Sequence, residues 1–191
     1  EQKHAYKDML NKLSVEMAGG QILAVNEAVK ANKLIQIACG VAYDTNGNTV
    51  VINNHHRIEA VKELIEESEG KVIVFVPLTG ALEFLANELR KDWTVEVVHG
   101  ETTKAERDQI FKSFQTTPDP RVLVANATTM SHGLTLTAAT TIVWYAPVHS
   151  NEVYEQACAR VRRPGQTRTT VIAHIAGSDI ERRVYKRLQE K

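Results

Sequence analysis

The sequence has few cysteines, no long apolar runs and no metal-ligand spacing. Its 191 residues include two cysteines, Cys39 and Cys158, and their wide separation excludes a disulfide scaffold or a zinc ribbon. Its apolar runs reach at most about six residues, whereas a membrane-spanning helix needs about 20. The seven histidines have no metal-ligand spacing, so no metal site is predicted. We expect one domain in a reducing cytosol, with no membrane partner.

Positive charge is concentrated at one end of the chain, although the formal net charge is zero. Residues 160–191 contain nine lysines and arginines against three acids, a balance of +6, so the first 159 residues carry −6. A basic end on a neutral chain indicates local anion binding. A solvated basic helix face is the alternative that the charge pattern leaves open.

The hydrophobic pattern after residue 70 alternates between strands and helices. Strands are predicted at Lys71–Val76, Thr94–Val98, Arg121–Ala125, Thr141–Tyr145 and Thr169–Ile175. Helices are predicted at Thr79–Arg90, Thr103–Phe114, Ser150–Arg162 and after Ser178. This order predicts an α/β fold with an open parallel sheet of about five or six strands and helices on both faces. Ligands of such sheets bind beyond the carboxyl ends of the strands, so the loops that follow strands are expected to carry the site.

The first 70 residues follow a different pattern. Helices are predicted at Tyr6–Met17, Gln21–Ala38 and His56–Ser68, with Gly19–Gly20 separating the first two. Asn46–Gly47, between Val41–Asp44 and Thr49–Ile52, predicts a β-hairpin. We interpret residues 1–70 as a helical prefix with a small hairpin. It would pack on a lobe formed by residues 71–191, giving one structural domain overall.

The most specific motif lies near the start of the basic end and reads Gln156-Ala-Cys-Ala-Arg160-Val-Arg-Arg163-Pro-Gly-Gln166. On a helix, Gln156, Arg160 and Arg163 would share one face. Two neighbouring guanidiniums suit phosphate oxygens, although R-x-x-R alone would favour a surface helix with ion pairs; the full string with its Pro-Gly-Gln exit is more specific. The sequence contains neither G-x-G-x-x-G nor the phosphate loop G-x-x-x-x-G-K-[ST]. The chain alone therefore has no evident means to hold and hydrolyse a nucleotide.

This string resembles the last helicase motif of the Swi/Snf-type ATPases of helicase superfamily 2, Q-x-x-x-R-x-x-R-x-G-Q. Four further segments resemble the family's motifs in the right order: Lys71–Val76 with the helix after it, His99–Thr102 with Arg107 and Phe114, Ala125–Ala139, and Gly177–Glu181. The match extends from about Leu34 to Lys191 and is clearest from Lys71. The resemblance implies the second RecA-like lobe of an ATP-dependent DNA helicase or translocase.

The resemblance also implies roles for individual residues. In that family two RecA-like lobes bind ATP and Mg²⁺ between them, and both contact double-stranded DNA. Arg163 would be the arginine finger and Arg160 its partner at the same phosphates. Gln156, Gly133 and Thr135 would contact the nucleotide, and Gly100, Glu101, Thr102, Thr128, Ser131 and His132 the DNA backbone. The first lobe of the same polypeptide would supply the phosphate loop and the Mg²⁺ ligands, so this lobe alone would bind neither cofactor and would be inactive.

The chain departs from the family pattern at several positions. Met130 and Ser131 stand where the family often has glycines, and Thr135 stands at its usual asparagine. His149–Asn151 replaces the family's Trp-Asn-Pro. The serine in this segment resembles phage or prophage members. These changes leave the two motif arginines in place.

Two other functions remain open on the sequence alone. One is a non-catalytic module, derived from such a lobe, that binds nucleic acid or a protein partner. The other is a small-molecule α/β enzyme unrelated to helicases. A phosphate loop and an acidic motif upstream in the parent reading frame would favour the motor over the binding module. We expect a monomer in the cytoplasm of a bacterial or phage-infected cell, or in the nucleus of a eukaryotic one.

Overall fold

The computed structural model describes residues 2–12, 14–17, 20–23, 27–130 and 135–190. The helices are α1 (Gln2–Lys12), α2 (Glu27–Cys39), α3 (His55–Glu67), α4 (Thr79–Leu89), α5 (Lys104–Thr116), α6 (Asn151–Cys158) and α7 (Asp179–Gln189). The strands are β1 (Ser14–Met17), β2 (Gly20–Leu23), β3 (Val41–Tyr43), β4 (Thr49–Val51), β5 (Lys71–Phe75), β6 (Val95–Val98), β7 (Val122–Ala125), β8 (Ala139–Trp144) and β9 (Val171–His174). No helix in the described ranges has the length and apolar character needed to span a membrane.

A parallel sheet of five strands, in the order β6-β7-β5-β8-β9, forms the centre of the fold. Strands β7 and β8 are buried along their whole length, as is typical of parallel strands covered on both faces. On β5, Val72 and Val74 pack towards α3 and α4, whereas Ile73 and Phe75 pack towards α5, α6 and α7. The predicted α/β class, with an open parallel sheet and helices on both faces, is confirmed.

The N-terminal segment differs from the sequence prediction. The predicted helices Tyr6–Met17 and Gln21–Ala38 are wrong where they meet, because β1 and β2 form an antiparallel pair there, with Met17 opposite Gly20. A Gly-Gly pair favours a hairpin turn as much as it favours a break between two helices. The helical pattern holds only in α1 and α2, on either side of this pair.

The second hairpin is confirmed at the predicted position. Strands β3 and β4 pair antiparallel, and Gly47 between them has a φ of 84°, in the left-handed region that favours glycine. The side chain of Asp44 accepts hydrogen bonds from the backbone N–H groups of Asn46 and Asn48 at 2.8 and 2.7 Å. Such a short acidic residue at the start of a turn stabilises it locally.

The N-terminal elements have a small core of their own that contacts the larger one. Leu34, Ile37 and Ile52 are buried together with residues of α1, β3 and β4. Ile180 of α7 packs against this cluster and against the core beneath α3 and α4. Helix α3 also contacts β8 and α4 directly. The division of the chain at residue 70 stays a prediction.

Candidate functional site

Helix α6 links two ends of the central sheet. The carboxyl ends of the parallel strands meet at one edge, and α6 begins there, just after β8, with Ser150 accepting a hydrogen bond from the N–H of Val153 at 3.3 Å. At the other end, the Gln166 side chain donates to the carbonyls of Thr137 and Ala139 at 3.1 and 2.9 Å. Thr137 precedes β8, and Ala139 is its first residue. The arginine motif therefore lies near the amino end of β8, and the expectation of a site beyond the carboxyl ends is wrong for it.

Helix α6 ends at Cys158, four residues before the predicted end at Arg162. Continuing the helix would require an N–H at position 164 to bond the carbonyl of Arg160, and Pro164 has none. The Arg160 carbonyl instead accepts from the N–H of Leu136 at 2.9 Å. The chain continues in tighter turns, and Gly165 takes a φ of 98°.

Because α6 ends at Cys158, the motif residues do not all lie on the helix. Gln156 lies on the helix, whereas Arg160 and Arg163 lie in the turns that follow it. The prediction that all three share one helical face is therefore wrong. The Gln156 amide donates to Glu152, one turn back on α6, at 2.9 Å.

The two arginines nevertheless share a site with Thr135. Arg163 is half-buried, and its Nη1 donates to Thr135 Oγ1 at 3.5 Å. Arg160 is only 6% exposed. Burial lowers the pKa of Arg160, and the positive charge of Arg163 lowers it further. An anion between the two would offset both effects, because each disfavours the charged guanidinium.

Three of the predicted site residues cannot be placed. Ser131, His132 and Gly133 lie outside the described residues. They connect the 3₁₀ turn Ala127–Met130 to Thr135. That turn follows β7 and packs against α6.

Thr128 is exposed at the carboxyl edge, in the loop predicted to contact DNA. The side-chain oxygen of Asn126 accepts from the N–H and from the hydroxyl of Thr128, at 3.1 and 2.8 Å. Asn126 was not among the site residues predicted from the sequence. An asparagine at a strand end, with a threonine two residues later, is typical of a turn closed by the asparagine side chain, and that signal could have identified it.

Gly100, Glu101 and Thr102 form a turn after β6, the strand next to β7. The N–H of Thr102 donates to the carbonyl of His99 at 3.1 Å, and the N–H of Glu101 donates to Nδ1 of His99 at 3.2 Å. Two of the backbone donors proposed for DNA are thus engaged within the turn. Gly100 and Glu101 are exposed.

The surroundings of this turn are acidic. A cavity of about 600 Å³ beside it is lined by the carboxylates of Glu83, Glu96, Glu101 and Glu106, with Arg90 as the counter-charge in the lining. Negative charge of this kind disfavours phosphate. The DNA role of Gly100–Thr102 stays a prediction, and its electrostatic support is weaker than that of Thr128.

A second cavity, of about 470 Å³, lies along the carboxyl edge. Thr128 and His149 line it together with Asn32 and Gln36 of α2. The side chains of His149 and Asn32 are joined by a hydrogen bond of 2.8 Å. This cavity makes the loops after β7 and β8 parts of one continuous surface.

A buried ion pair fixes the strand ends from which these loops emerge. Arg57 of α3 donates to both carboxylate oxygens of Glu181 at 2.8 and 3.0 Å, and it also donates to the carbonyl of Tyr145. The exposed fractions of the two side chains are 6% and 0%. The Gly177–Glu181 motif drew attention to the glutamate, but nothing in the sequence indicated Arg57 as its partner. The pair holds the exit of β8, and so the start of α6, against α3 and α7.

No group of three or more His, Cys, Asp or Glu side chains within the part of the chain that the structure describes could hold a metal ion.

Comparison with known proteins gives one family and several relatives. The family model described as the helicase conserved C-terminal domain matches residues 56–165. The chain is 29% identical over 136 residues to the Xenopus tropicalis SWI/SNF-related matrix-associated actin-dependent regulator of chromatin subfamily A-like protein 1, covering 70% of this chain and 14% of that protein. It is 28% identical over 111 residues to the human probable ATP-dependent RNA helicase DDX17, covering 58% and 15%. The chain spans about 14% and 15% of the length of these two relatives.

Two solved structures show the same fold over the whole chain. The Sulfolobus solfataricus SWI2/SNF2 ATPase core in complex with dsDNA matches with a TM-score of 0.69 and 23% identity, covering 100% of this chain and 40% of that one. The C-terminal part of the Fun30 ATPase domain matches with a TM-score of 0.65 and 20% identity, covering 100% and 66%. The RecA-like character expected of the lobe is confirmed at the level of the fold.

Proposed function

Since the chain belongs to the helicase conserved C-terminal domain family, we propose that it is the second motor lobe of an ATP-dependent DNA helicase or translocase. The single observation that carries the proposal is the convergence of Arg160, Arg163 and Thr135 beyond the end of α6. Two guanidiniums next to a hydroxyl suit the terminal phosphates of a nucleotide. A nucleotide held by a neighbouring lobe would meet this group at the lobe's surface.

Arg163 is the residue assigned to the phosphoryl group that is transferred. Its hydrogen bond to the neutral hydroxyl of Thr135 is 3.5 Å long, and a charge-assisted bond to a phosphate oxygen would be shorter and stronger. In that position the guanidinium would neutralise the negative charge that develops on the γ-phosphate in the transition state. Arg160, which is more deeply buried, would contribute a second positive charge to the same phosphates.

The remaining parts of the nucleotide site are assigned to the first RecA-like lobe of the same polypeptide. Neither G-x-x-x-x-G-K-[ST] nor an acidic pair after a strand occurs in these 191 residues. The first lobe would therefore bind the triphosphate and the Mg²⁺, whose charge stabilises the phosphates. Gln156 is assigned a supporting contact to the nucleotide, as is Gly133.

Double-stranded DNA is the proposed nucleic-acid partner, at the opposite end of α6. Thr128 is exposed there and held by Asn126, and a hydroxyl and backbone N–H groups are typical phosphate contacts. The DNA complex of the similar SWI2/SNF2 core supports duplex DNA as the partner. Because α6 packs on the turn that carries Thr128, a movement at the arginine end would be transmitted to the DNA end.

The test is the Arg163→Ala variant of the complete protein that carries both lobes. The turnover number for ATP should fall by about 10³ or more, because an arginine finger typically contributes that much, while the affinity for nucleotide changes little. Arg162→Ala is the matched control, since Arg162 is an exposed neighbour with the same charge. Near-normal turnover of the Arg163 variant would reject the assignment of Arg163 as the arginine finger.

A further inference from the structure

Helix α7 presents an exposed row of cations that the arginine motif does not account for. Glu181, Tyr185 and Leu188 are buried on its inner side. Its outer side carries four exposed basic residues: Arg182, Arg183, Lys186 and Arg187. The sequence left two interpretations of this basic end open, an anion site and a solvated helix face.

Ion pairing divides these four cations into two groups. Arg182 pairs with Asp179 at 2.8 Å, and Lys186 pairs with Glu190 at 3.5 Å. Within the described ranges, neither Arg183 nor Arg187 forms an ion pair with a carboxylate. The positive charge of α7 is therefore least compensated at Arg183 and Arg187.

The position of α7 places Arg187 beside the carboxyl edge of the sheet, and Arg183 lies one helical turn nearer the start of α7. The hydroxyl of Tyr185 donates to the carbonyl of Trp144, the last residue of β8, at 3.0 Å. Arg187 donates to the carbonyl of His149 at 3.4 Å. His149 lines the cavity along the carboxyl edge together with Thr128. The outer side of α7 thus continues the surface on which the proposed DNA contact lies.

We propose that Arg183 and Arg187 form a second binding site for the phosphate backbone of duplex DNA, continuous with Thr128. The choice of duplex DNA as the ligand rests on the proposed function. The two residues are one helical turn apart, so their Cβ atoms are about 6 Å apart on the same side of the helix. Each guanidinium can bind two phosphate oxygens at once. A favourable interaction with the helix dipole would explain a cation in the last turn, such as Arg187, but not Arg183 in the middle of α7.

The experiment measures the affinity of the 191-residue chain for a fluorescently labelled DNA duplex over a range of salt concentrations. The Arg183→Gln/Arg187→Gln variant should bind about 10- to 60-fold more weakly near 0.1 M salt, because two counterion-releasing contacts are lost. The slope of log K against log salt should become shallower by about 1.8, or 0.9 for each phosphate contact. Unchanged melting temperatures would show that the variants are folded.

The matched control is Arg182→Gln/Lys186→Gln, which removes the same charge from the same helix but from cations that are already paired. This control should make the slope of log K against log salt shallower by less than about 1. Equal losses of DNA affinity and of slope in the two double variants would overturn the proposal. The positive charge of α7 would then attract DNA without forming a specific phosphate site. No salt-dependent binding by the unmodified chain, or tighter binding of an RNA duplex than of the DNA duplex, would also overturn it. A normal ATP turnover of Arg163→Ala, with the slope difference intact, would reject the arginine-finger role of Arg163 and leave the DNA site standing.

Discussion

The buried pair of Arg57 and Glu181 gives the sharpest prediction on stability. Replacing Arg57 by leucine would leave the Glu181 carboxylate in the interior, accepting from the N–H of Gly177 at 3.0 Å and the hydroxyl of Ser178 at 2.8 Å. Removing one partner of a buried ion pair typically destabilises a protein by about 3–5 kcal/mol. In a chain of this size each kcal/mol lowers the melting temperature by about 2–4 °C. The Arg57→Leu variant should therefore melt roughly 6–20 °C lower.

A double-mutant cycle on the free energy of unfolding checks the origin of this loss. Arg57→Leu and Glu181→Leu should each be costly, whereas the double variant should cost less than their sum by about 2 kcal/mol, because neither charge is then left unpaired. Lys62→Leu is the control, since it disrupts the more exposed pair of Lys62 and Asp92 and should leave the unfolding midpoint nearly unchanged. A loss below about 1 kcal/mol for Arg57→Leu, or an additive cycle, would refute the reasoning.

Three further predictions follow from single features. In denaturant unfolding, Gly40→Ala should destabilise the fold by more than Gly47→Ala. Both glycines have positive φ, which costs about 1–2 kcal/mol for a residue with a side chain, but only at Gly40 would the added Cβ clash, lying 2.2 Å from the side chain of Asn54. Equal losses of stability in the two variants would contradict this reasoning. Burial lowers the pKa of His174 from its usual 6.5. As the pH falls below about 6.5, the unfolded chain therefore takes up a proton before the folded chain does, and the free energy of unfolding declines. The His174→Gln variant should flatten that decline, and an unchanged pH profile of stability would exclude this histidine as its cause. The 191-residue chain alone should show no measurable ATP hydrolysis, and motor-like turnover would contradict the assignment of the phosphate loop and Mg²⁺ to another lobe.

The parts of the fold that could be predicted are those in which local patterns and packing agree. The apolar run Lys71–Phe75 becomes the central strand because helices cover both of its faces. The helix predicted to begin at Thr103 forms as α5, and a capping box between Thr103 and Glu106 stabilises its start. The order of motifs predicted a resemblance to the Swi/Snf-type C-terminal lobe, and that resemblance is confirmed.

The errors arise where a pattern is compatible with two structures or where a distant group decides the outcome. Gly19–Gly20 suits a hairpin as well as a break between helices. The end of α6 depends on the Arg160 carbonyl meeting the N–H of Leu136, a contact between distant segments that helical periodicity does not encode. Arg57 is invisible for the same reason, since its partner lies 124 residues away.

The candidate site was predicted as a set of residues but not as a geometry. The proximity of Arg163 to Thr135 agrees with the motif order. The burial of Arg160 does not follow from the sequence, because it depends on how the turn after α6 folds back beside β8. The catalytic, nucleotide and DNA roles of these residues stay predictions.

The position of Arg163 in the assembled motor tests the central claim most directly. It can be measured in a structure of the two-lobe protein bound to duplex DNA and to ADP with a fluoride mimic of the γ-phosphate. The account predicts that the Arg163 guanidinium leaves Thr135 and lies within hydrogen-bonding distance, about 3 Å, of the mimic, with Arg160 beside it. An Arg163 that still bonds Thr135 and lies far from the nucleotide would contradict the account.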